Sequence, residues 1–200
     1  MKVLVTGAAG FIGFHVVNAL CKKGHNVIGL DNINDYYDVN LKFARLAEAG
    51  IGQMNIGEKV LTRSDRFANY YFVKADIVDA EYLAQLFKEE QFDMVLHFAA
   101  QAGVRHSINK PHDYIQSNIV GFANMLECCR HNNIQNLVYA SSSSVYGNSK
   151  EVPFVEENRA EQPVSLYAAT KRSNELMAYS YSHLYKLCTT GLRFFTVYGP

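Results

Sequence analysis

The first thirteen residues constrain the fold most. Val3-Leu4-Val5 is apolar and leads directly into Thr6-Gly7-Ala8-Ala9-Gly10-Phe11-Ile12-Gly13. A short apolar run cut off by glycine reads as a buried strand, and the pattern after Gly10 reads as an amphipathic helix. Strand, glycine turn and helix together begin a βαβ unit. In such a unit the helix N-terminus presents free N–H groups, and glycine lets an anion come close to the backbone. Gly7, Gly10 and Gly13 are three apart, a wider spacing than G-x-G-x-x-G. Glycine triplets are common, so the weight rests on the strand before and the helix after.

The same alternation runs along the chain. Residues 2–6, 26–31, 70–74, 93–97, 137–141 and 189–195 read as strands, and residues 11–23, 79–89, 113–132 and 165–187 as helices. Gly24 is placed to end the first helix and Ser165 to cap the last. Strands alternating with helices imply an α/β domain of Rossmann type, a doubly wound parallel sheet with helices on both faces, occupying residues 1–200. Residues 32–69 are too many for a plain connection. Of these, 36–49 read as helical and 50–69 as irregular and mobile. Thr196-Val197-Tyr198-Gly199-Pro200 follows a strand at the edge where a doubly wound sheet has its ligand crevice, so a further, smaller domain is expected beyond residue 200.

With 48% hydrophobic residues the chain can bury a sizeable core, and 19 basic against 19 acidic side chains leave no electrostatic footprint for nucleic acid. Cys21, Cys128, Cys129 and Cys188 show no C-x-x-C spacing and the His residues none suited to a metal, so reduced thiols and no metal site are expected. No stretch has the pattern of a signal peptide or a membrane span; a cytoplasmic protein with no membrane partner is expected.

Asp31 closes the second strand, 18 residues beyond Gly13. A carboxylate there accepts hydrogen bonds from the adenosine ribose hydroxyls, and with neutral Asn32 after it disfavours a 2′-phosphate, so NAD is expected over NADP. Asp76-Ile77 and Phe98-Ala99-Ala100 follow the next strands and are expected along the same crevice.

Tyr167-Ala168-Ala169-Thr170-Lys171 places a phenol and an ammonium four apart on one helix face. Such a pattern also arises by chance. Tyr146-Gly147-Asn148-Ser149-Lys150 has it too, but Gly147 and Asn148 break any helix there. A free phenol titrates near pH ~10, and a neighbouring ammonium favours the phenolate. A hydroxyl should complete the set, and Ser141-Ser142-Ser143-Ser144 follows an apolar strand.

With these motifs together, the chain resembles the extended short-chain dehydrogenase/reductase family, and within it the nucleotide-sugar epimerases and dehydratases. The resemblance runs through Gly7–Gly13, Asp31, Ser141–Gly147, Tyr167–Lys171 and the final Leu192–Pro200. It implies that Ser142, Tyr167 and Lys171 are catalytic, with Lys171 also on the nicotinamide ribose. It also implies NAD held by Gly7, Gly10, Phe11, Ile12, Gly13, Asp31, Asn32, Asp76, Ile77, Phe98, Ala99 and Ala100. Dehydratases of the family carry an Asp-Glu pair, and decarboxylases a Glu, where this chain has Ser143 and Ser144; the missing acids favour 4-epimerisation. The stretches 31–38, 101–107 and 194–200 resemble UDP-glucuronate 4-epimerases more than UDP-glucose 4-epimerases, which tend to have Asn at the place of Thr196. UDP-glucose, UDP-N-acetylhexosamine, or a non-catalytic NAD-binding module remain the alternatives. Expected substrate contacts are Arg105, Asn118, Ser142, Ser143, Ser144 and Thr196. The partners implied are a UDP-linked sugar and a second copy of the chain, docked through helices 113–132 and 165–187 with Met125, Leu126, Met177, Tyr181 and Tyr185 in the contact.

Overall fold

A computed structural model describes residues 1–199; Pro200, the last residue of the final motif, lies outside them. Seven strands form one sheet: β1 Lys2–Thr6, β2 Asn26–Asp31, β3 Leu61–Arg63, β4 Tyr70–Lys74, β5 Met94–His97, β6 Asn136–Ala140 and β7 Thr189–Leu192, in the order β3-β4-β2-β1-β5-β6-β7. All neighbours pair in parallel except β3 with β4. The chain winds outward from β1 through β2 to β4, then returns to β1's other side as β5 and winds outward again. The crevice at the C-terminal ends of β1 and β5 is therefore the switch point of a doubly wound fold, where such sheets take ligands.

Period-two alternation along the strands divides the core between two helical layers. Leu4, Ile28, Leu30, Val73 and Val95 face α3 (Ala80–Glu90), α6 (Gly121–His131) and α7 (Leu166–Tyr185), while Val3, Val5, Val27 and Phe72 face α1 (Phe11–Lys22) and α2 (Val39–Glu48). Local signals end these helices where side chains can satisfy their free backbone groups. Asp38 and Asp79 accept from the N–H of Asn40 and Tyr82, and Ser165 from Ala168, while Gly24 takes a left-handed conformation after α1.

The expected elements are present, with four differences. First, the expected 113–132 helix is continuous from Pro111 to His131 but is not α-helical throughout: α5 (Pro111–Tyr114) passes into a π-helical stretch, Ile115–Val120, and then into α6, and a short separate helix, α4 (His106–Asn109), precedes it. Second, the 50–69 segment is not irregular throughout. It contains a 3₁₀ turn, Gln53–Asn55, and the edge strand β3. The Ser64 hydroxyl ties it down by donating to the Ala49 carbonyl (2.7 Å) and accepting from the N–H of Arg66 and Phe67. A three-residue antiparallel strand leaves too little periodicity to read. Third, α2 starts at Val39, because Asp38 caps it, so Tyr36 and Tyr37 stay in the preceding loop. Fourth, β7 ends at Leu192 rather than reaching Phe195.

The surface expected for a second copy is only partly available. Met125 and Leu126 are fully buried in the core, and Met177 and Tyr181 pack against it. Of the expected residues Tyr185 is exposed, and Leu176, Tyr179 and Leu184 of α7 are exposed beside it. Cys21, Cys128 and Cys129 are buried and Cys188 exposed, all as free thiols. No group of three or more potential metal ligands occurs among the described residues, and none of their helices is long and apolar enough to cross a membrane.

Candidate active site

A cavity of about 460 Å³ lies along the switch point, lined from one end to the other by Asp31, the glycine turn, Ala99, Ser142, Tyr167 and Lys171. Its floor is the turn after β1. Gly7 has a positive φ (+71°), and a Cβ there would lie 2.8 Å from the Ala99 nitrogen; a Cβ on Gly13 would fall on the Gly7 carbonyl oxygen. Only glycine lets β1, β5 and α1 approach this closely. α1 starts without a side-chain cap, so the N–H groups of its first turn are left for an anion in the cavity. The residues present therefore fit a dinucleotide: a backbone cradle for its pyrophosphate, with a carboxylate at one end and a phenol at the other.

At the carboxylate end Asp31 is buried. Its Oδ2 accepts from the Ala9 N–H (3.1 Å) and its Oδ1 from Ile33 (2.8 Å). The neutral Asn32 that follows it in sequence is not its only neighbour: a cation stands beside it. Lys42 Nζ, also buried, lies 3.4 Å from Asp31 Oδ1 and donates to Asn34 Oδ1 at 3.0 Å, and Arg45 lines the same wall. Eleven residues separate Asp31 from Lys42, and one face of α2 returns it; the helix pattern was readable, but its orientation over the strand end was not. Asn32, Ile77, Phe98 and Ala100 line the cavity as expected. Asp76 does not. Its carboxylate accepts from Asn32 Nδ2 (2.9 Å) and the Val78 N–H (3.0 Å) and faces an adjoining hollow.

At the other end, α7 carries Tyr167 and Lys171 past the end of β6. Lys171 is 4% exposed and donates from Nζ to the Ala140 carbonyl at 2.8 Å, with Nζ 6.0 Å from the centre of the Tyr167 ring. Burial lowers its pKa to about 8. Burial also raises the Tyr167 phenol above its ordinary value; the Ser142 hydroxyl opposes this and the nearby Tyr36 adds to it. The spacing of Tyr167 from Lys171 predicts a lowered phenol pKa. In the chain alone desolvation dominates, and Ser142 is the group that acts the other way. Ser142 Oγ accepts from the Ser144 N–H (3.1 Å), which leaves its own proton free to point into the cavity. His97, at the end of β5, is fully buried against Thr6 (2.8 Å), and burial depresses its pKa to about 3, so it stays neutral beneath Lys171.

The other expected substrate contacts separate. Asn118 is buried with its amide fully committed: Oδ1 accepts from the Gln101 N–H (2.8 Å), and Nδ2 donates to the Gln101 carbonyl (3.0 Å) and Thr170 Oγ1 (3.1 Å). It braces the wall and does not face the cavity. Arg105 is exposed at the start of α4, Thr196 is exposed, and Ser143 and Ser144 turn into a 3₁₀ helix; none of the four lines the cavity. Residues the sequence reading did not assign do line it: Tyr36, Tyr37, Gln101, Phe194 and Phe195. The Nε2 of Gln101 is buried without a partner. Position just after β5 and β7, at the crevice edge, was the available signal for Gln101, Phe194 and Phe195.

The alternative pair, Tyr146 and Lys150, is excluded by geometry. Tyr146 is buried, donates to the Val155 carbonyl (3.1 Å) and stacks on Phe154 at 4.6 Å, while Lys150 is exposed. The spacing occurs once more, at Tyr70 and Lys74. These lie on β4, where four residues of strand separate the side chains by roughly 13 Å.

A glycine-cradled crevice ending in a serine, a tyrosine and a buried lysine marks a dinucleotide-binding domain of the Rossmann type. The chain belongs to the NAD dependent epimerase/dehydratase family, which it matches over residues 3–200. It is 56% identical over 200 residues to Protein CapI of Staphylococcus aureus, covering all of this chain and 55% of that protein. It is 53% identical over 201 residues to UDP-glucuronate 4-epimerase 4 of Arabidopsis thaliana, covering 42% of it. Among solved structures it is similar to UDP-glucuronic acid 4-epimerase from Bacillus cereus in complex with UDP-glucuronic acid and NAD, with a TM-score of 0.83, 33% identity, all of this chain and 58% of that one. The chain thus spans about half the length of the relatives it matches.

Proposed function

We propose that this chain is the cofactor-binding and catalytic part of an NAD-dependent UDP-sugar 4-epimerase, with UDP-glucuronate and UDP-galacturonate as the pair interconverted. The observation that carries the reading is the placement of Ser142, Tyr167 and Lys171 at one end of a cavity whose other end is the glycine turn and Asp31. The 53% identity to a UDP-glucuronate 4-epimerase supports the choice of sugar. The absence of a carboxylate at Ser143 and Ser144, where elimination would need an acid and a base, supports epimerisation.

In this reading Asp31 accepts from the adenosine ribose and the first turn of α1 binds the pyrophosphate, while Lys171 reaches the nicotinamide ribose. Bound NAD supplies a reversible hydride acceptor for C4 of the sugar, and its positive ring favours the phenolate that burial disfavours. Tyr167 takes the proton from O4 and later returns it, and Ser142 donates a hydrogen bond to the same oxygen. Between those two proton transfers the 4-keto sugar would have to turn over in the site and present its opposite face. The remaining sugar and nucleotide contacts would come from the part of the relatives this chain does not match, in a substrate domain following residue 200. A homodimer through α6 and α7, with Leu176, Tyr179 and Leu184 in the contact, completes the proposal.

The test is product analysis. This chain alone is expected to lack turnover; joined to its substrate domain, it should convert UDP-glucuronate to UDP-galacturonate, and UDP-glucose should turn over more slowly by an order of magnitude or more. Faster turnover of UDP-glucose would overturn the substrate assignment. A single monomeric species by sedimentation at micromolar concentration would overturn the dimer.

A further inference from the structure

Ser142 accepts one N–H from Ser144, and its neighbours are held on either side: Ser141 by a largely buried ion pair, Ser143 by the residue next to that pair. Glu175 lies one turn after Lys171 on α7. Its Oε1 accepts from Ser141 Oγ at 2.7 Å and from Arg193 Nε at 2.9 Å; its Oε2 accepts from Arg193 NH2 at 3.0 Å and from Arg172 NH1 at 2.7 Å. The Glu175 side chain is 11% exposed and that of Arg193 15%. On the other flank the Ser143 N–H donates to the carbonyl of Phe194, the residue after Arg193, at 2.8 Å. Arg193 is fixed in turn by Tyr146, over whose ring it sits at 4.9 Å, and by the carbonyls of Glu156 and Asn158. Burial alone would raise the Glu175 carboxyl; bonds from Arg193, Ser141 and Arg172 outweigh it and keep it ionised.

We propose that Glu175, gripped by Arg193, is a positioning residue that sets Ser142 against the Tyr167 phenol by holding Ser141. Lys171 pulls on the Ala140 carbonyl and Glu175 on the Ser141 hydroxyl, so one face of α7 fixes two successive residues before Ser142. The bidentate pairing with Arg193 directs the carboxylate at β6 and carries the same constraint to the end of β7. Without Ser141's hydroxyl, or without the charge on Glu175, the strand end can rotate by a fraction of an ångström and Ser142 loses its alignment.

The proposal rests on the reading of Ser142 and Tyr167 as the proton-handling pair, and the experiment separates the two. The Tyr167 phenol is titrated in the NAD-loaded full chain by ultraviolet difference against Tyr167→Phe, in parent, Ser142→Ala, Ser141→Ala, Glu175→Gln and Ser141→Ala/Ser142→Ala. Ser141→Ala leaves the Glu175–Arg193 pair intact and deletes one buried hydroxyl, so it is the variant that keeps the test open if Glu175→Gln fails to fold. Ser142→Ala should raise the phenol's apparent pKa by about half a unit to one unit, the worth of one hydrogen bond. Ser141→Ala should raise it by a similar amount, and the double variant should match Ser142→Ala alone. If Ser142→Ala leaves the titration unchanged, the reading of the pair fails. If Ser142→Ala moves it and Ser141→Ala does not, or if the two shifts add, the positioning role fails.

Discussion

Tyr167–Lys171 and Tyr146–Lys150 share a spacing and lie in the same third of the chain, yet the fold uses them in opposite ways. The first pair sits on α7, where four residues are one turn, and both side chains reach the cavity. The second straddles Gly147, whose positive φ (58°) turns the chain and leaves Lys150 in solvent while Tyr146 is stacked against Phe154. A motif acquires chemistry only from the element that carries it and from the groups that element is pressed against. Tyr146 still serves the site indirectly, as the surface on which Arg193 lies.

The largest effect that would break this contrast is on Tyr167. Tyr167→Phe keeps the ring and its edge contact with Tyr114 (6.1 Å) but removes the hydroxyl proposed to take the O4 proton. Turnover should fall by roughly 10²–10⁴-fold or more, with NAD affinity unchanged by calorimetry. Loss of NAD binding in step with turnover would show a packing role instead.

Lys171→Met should follow, lowering turnover and NAD affinity each by roughly tenfold to a hundredfold, the worth of a charge-assisted hydrogen bond. It also has a sign in pH. The folded-state pKa of about 8 lies below the ordinary 10.5 of the side chain in water. The unfolded chain therefore binds more protons between these values, and the parent gains stability as pH rises from 8 towards 10. Denaturant midpoints for parent and Lys171→Met should converge or cross over that window. A parent midpoint flat relative to the variant would show that Lys171 is not desolvated.

The opposite end of the cavity gives a smaller effect. Asp31→Ala should weaken NAD binding by about tenfold, and by freeing Lys42 should narrow the gap to NADP. Adding Lys42→Ala should widen the gap again. NADP binding unaffected by Lys42 would mean that this cation faces the carboxylate alone.

Smallest is the alternative pair. Tyr146→Phe removes one hydrogen bond, to the Val155 carbonyl, and should cost about 1 kcal/mol of stability by chemical denaturation. Turnover should be unchanged, and Lys150→Met should change neither.

How much of this was legible follows from sequence distance. The cradle is local: β1, the turn, α1, β2 and Asp31 lie within the first 31 residues, and glycine spacing with strand–helix periodicity reveals them. Tyr167 and Lys171 are legible for the same reason, being one turn apart. Lys42, Glu175 and Arg193 are not. Lys42 faces Asp31 only because α2 folds back over β2, and Glu175 meets Ser141 only because α7 crosses the end of β6. Arg193 reaches Glu175 from just beyond the end of β7. Arg105 and Thr196 stand beside motif residues in sequence but on exposed turns outside the cavity. Asn118 was rightly placed near the site, but its buried amide is spent on Gln101 and Thr170.

The most direct measurement uses UDP-glucuronate carrying deuterium at C4. If hydride leaves C4 and comes back while Tyr167 moves the O4 proton, the parent and Tyr146→Phe should both give UDP-galacturonate with the deuterium kept at C4, and Tyr167→Phe should give almost no product. Loss of the label to solvent, or full turnover by Tyr167→Phe, would contradict the assignment of this cavity as a hydride-transfer site with Tyr167 as its base.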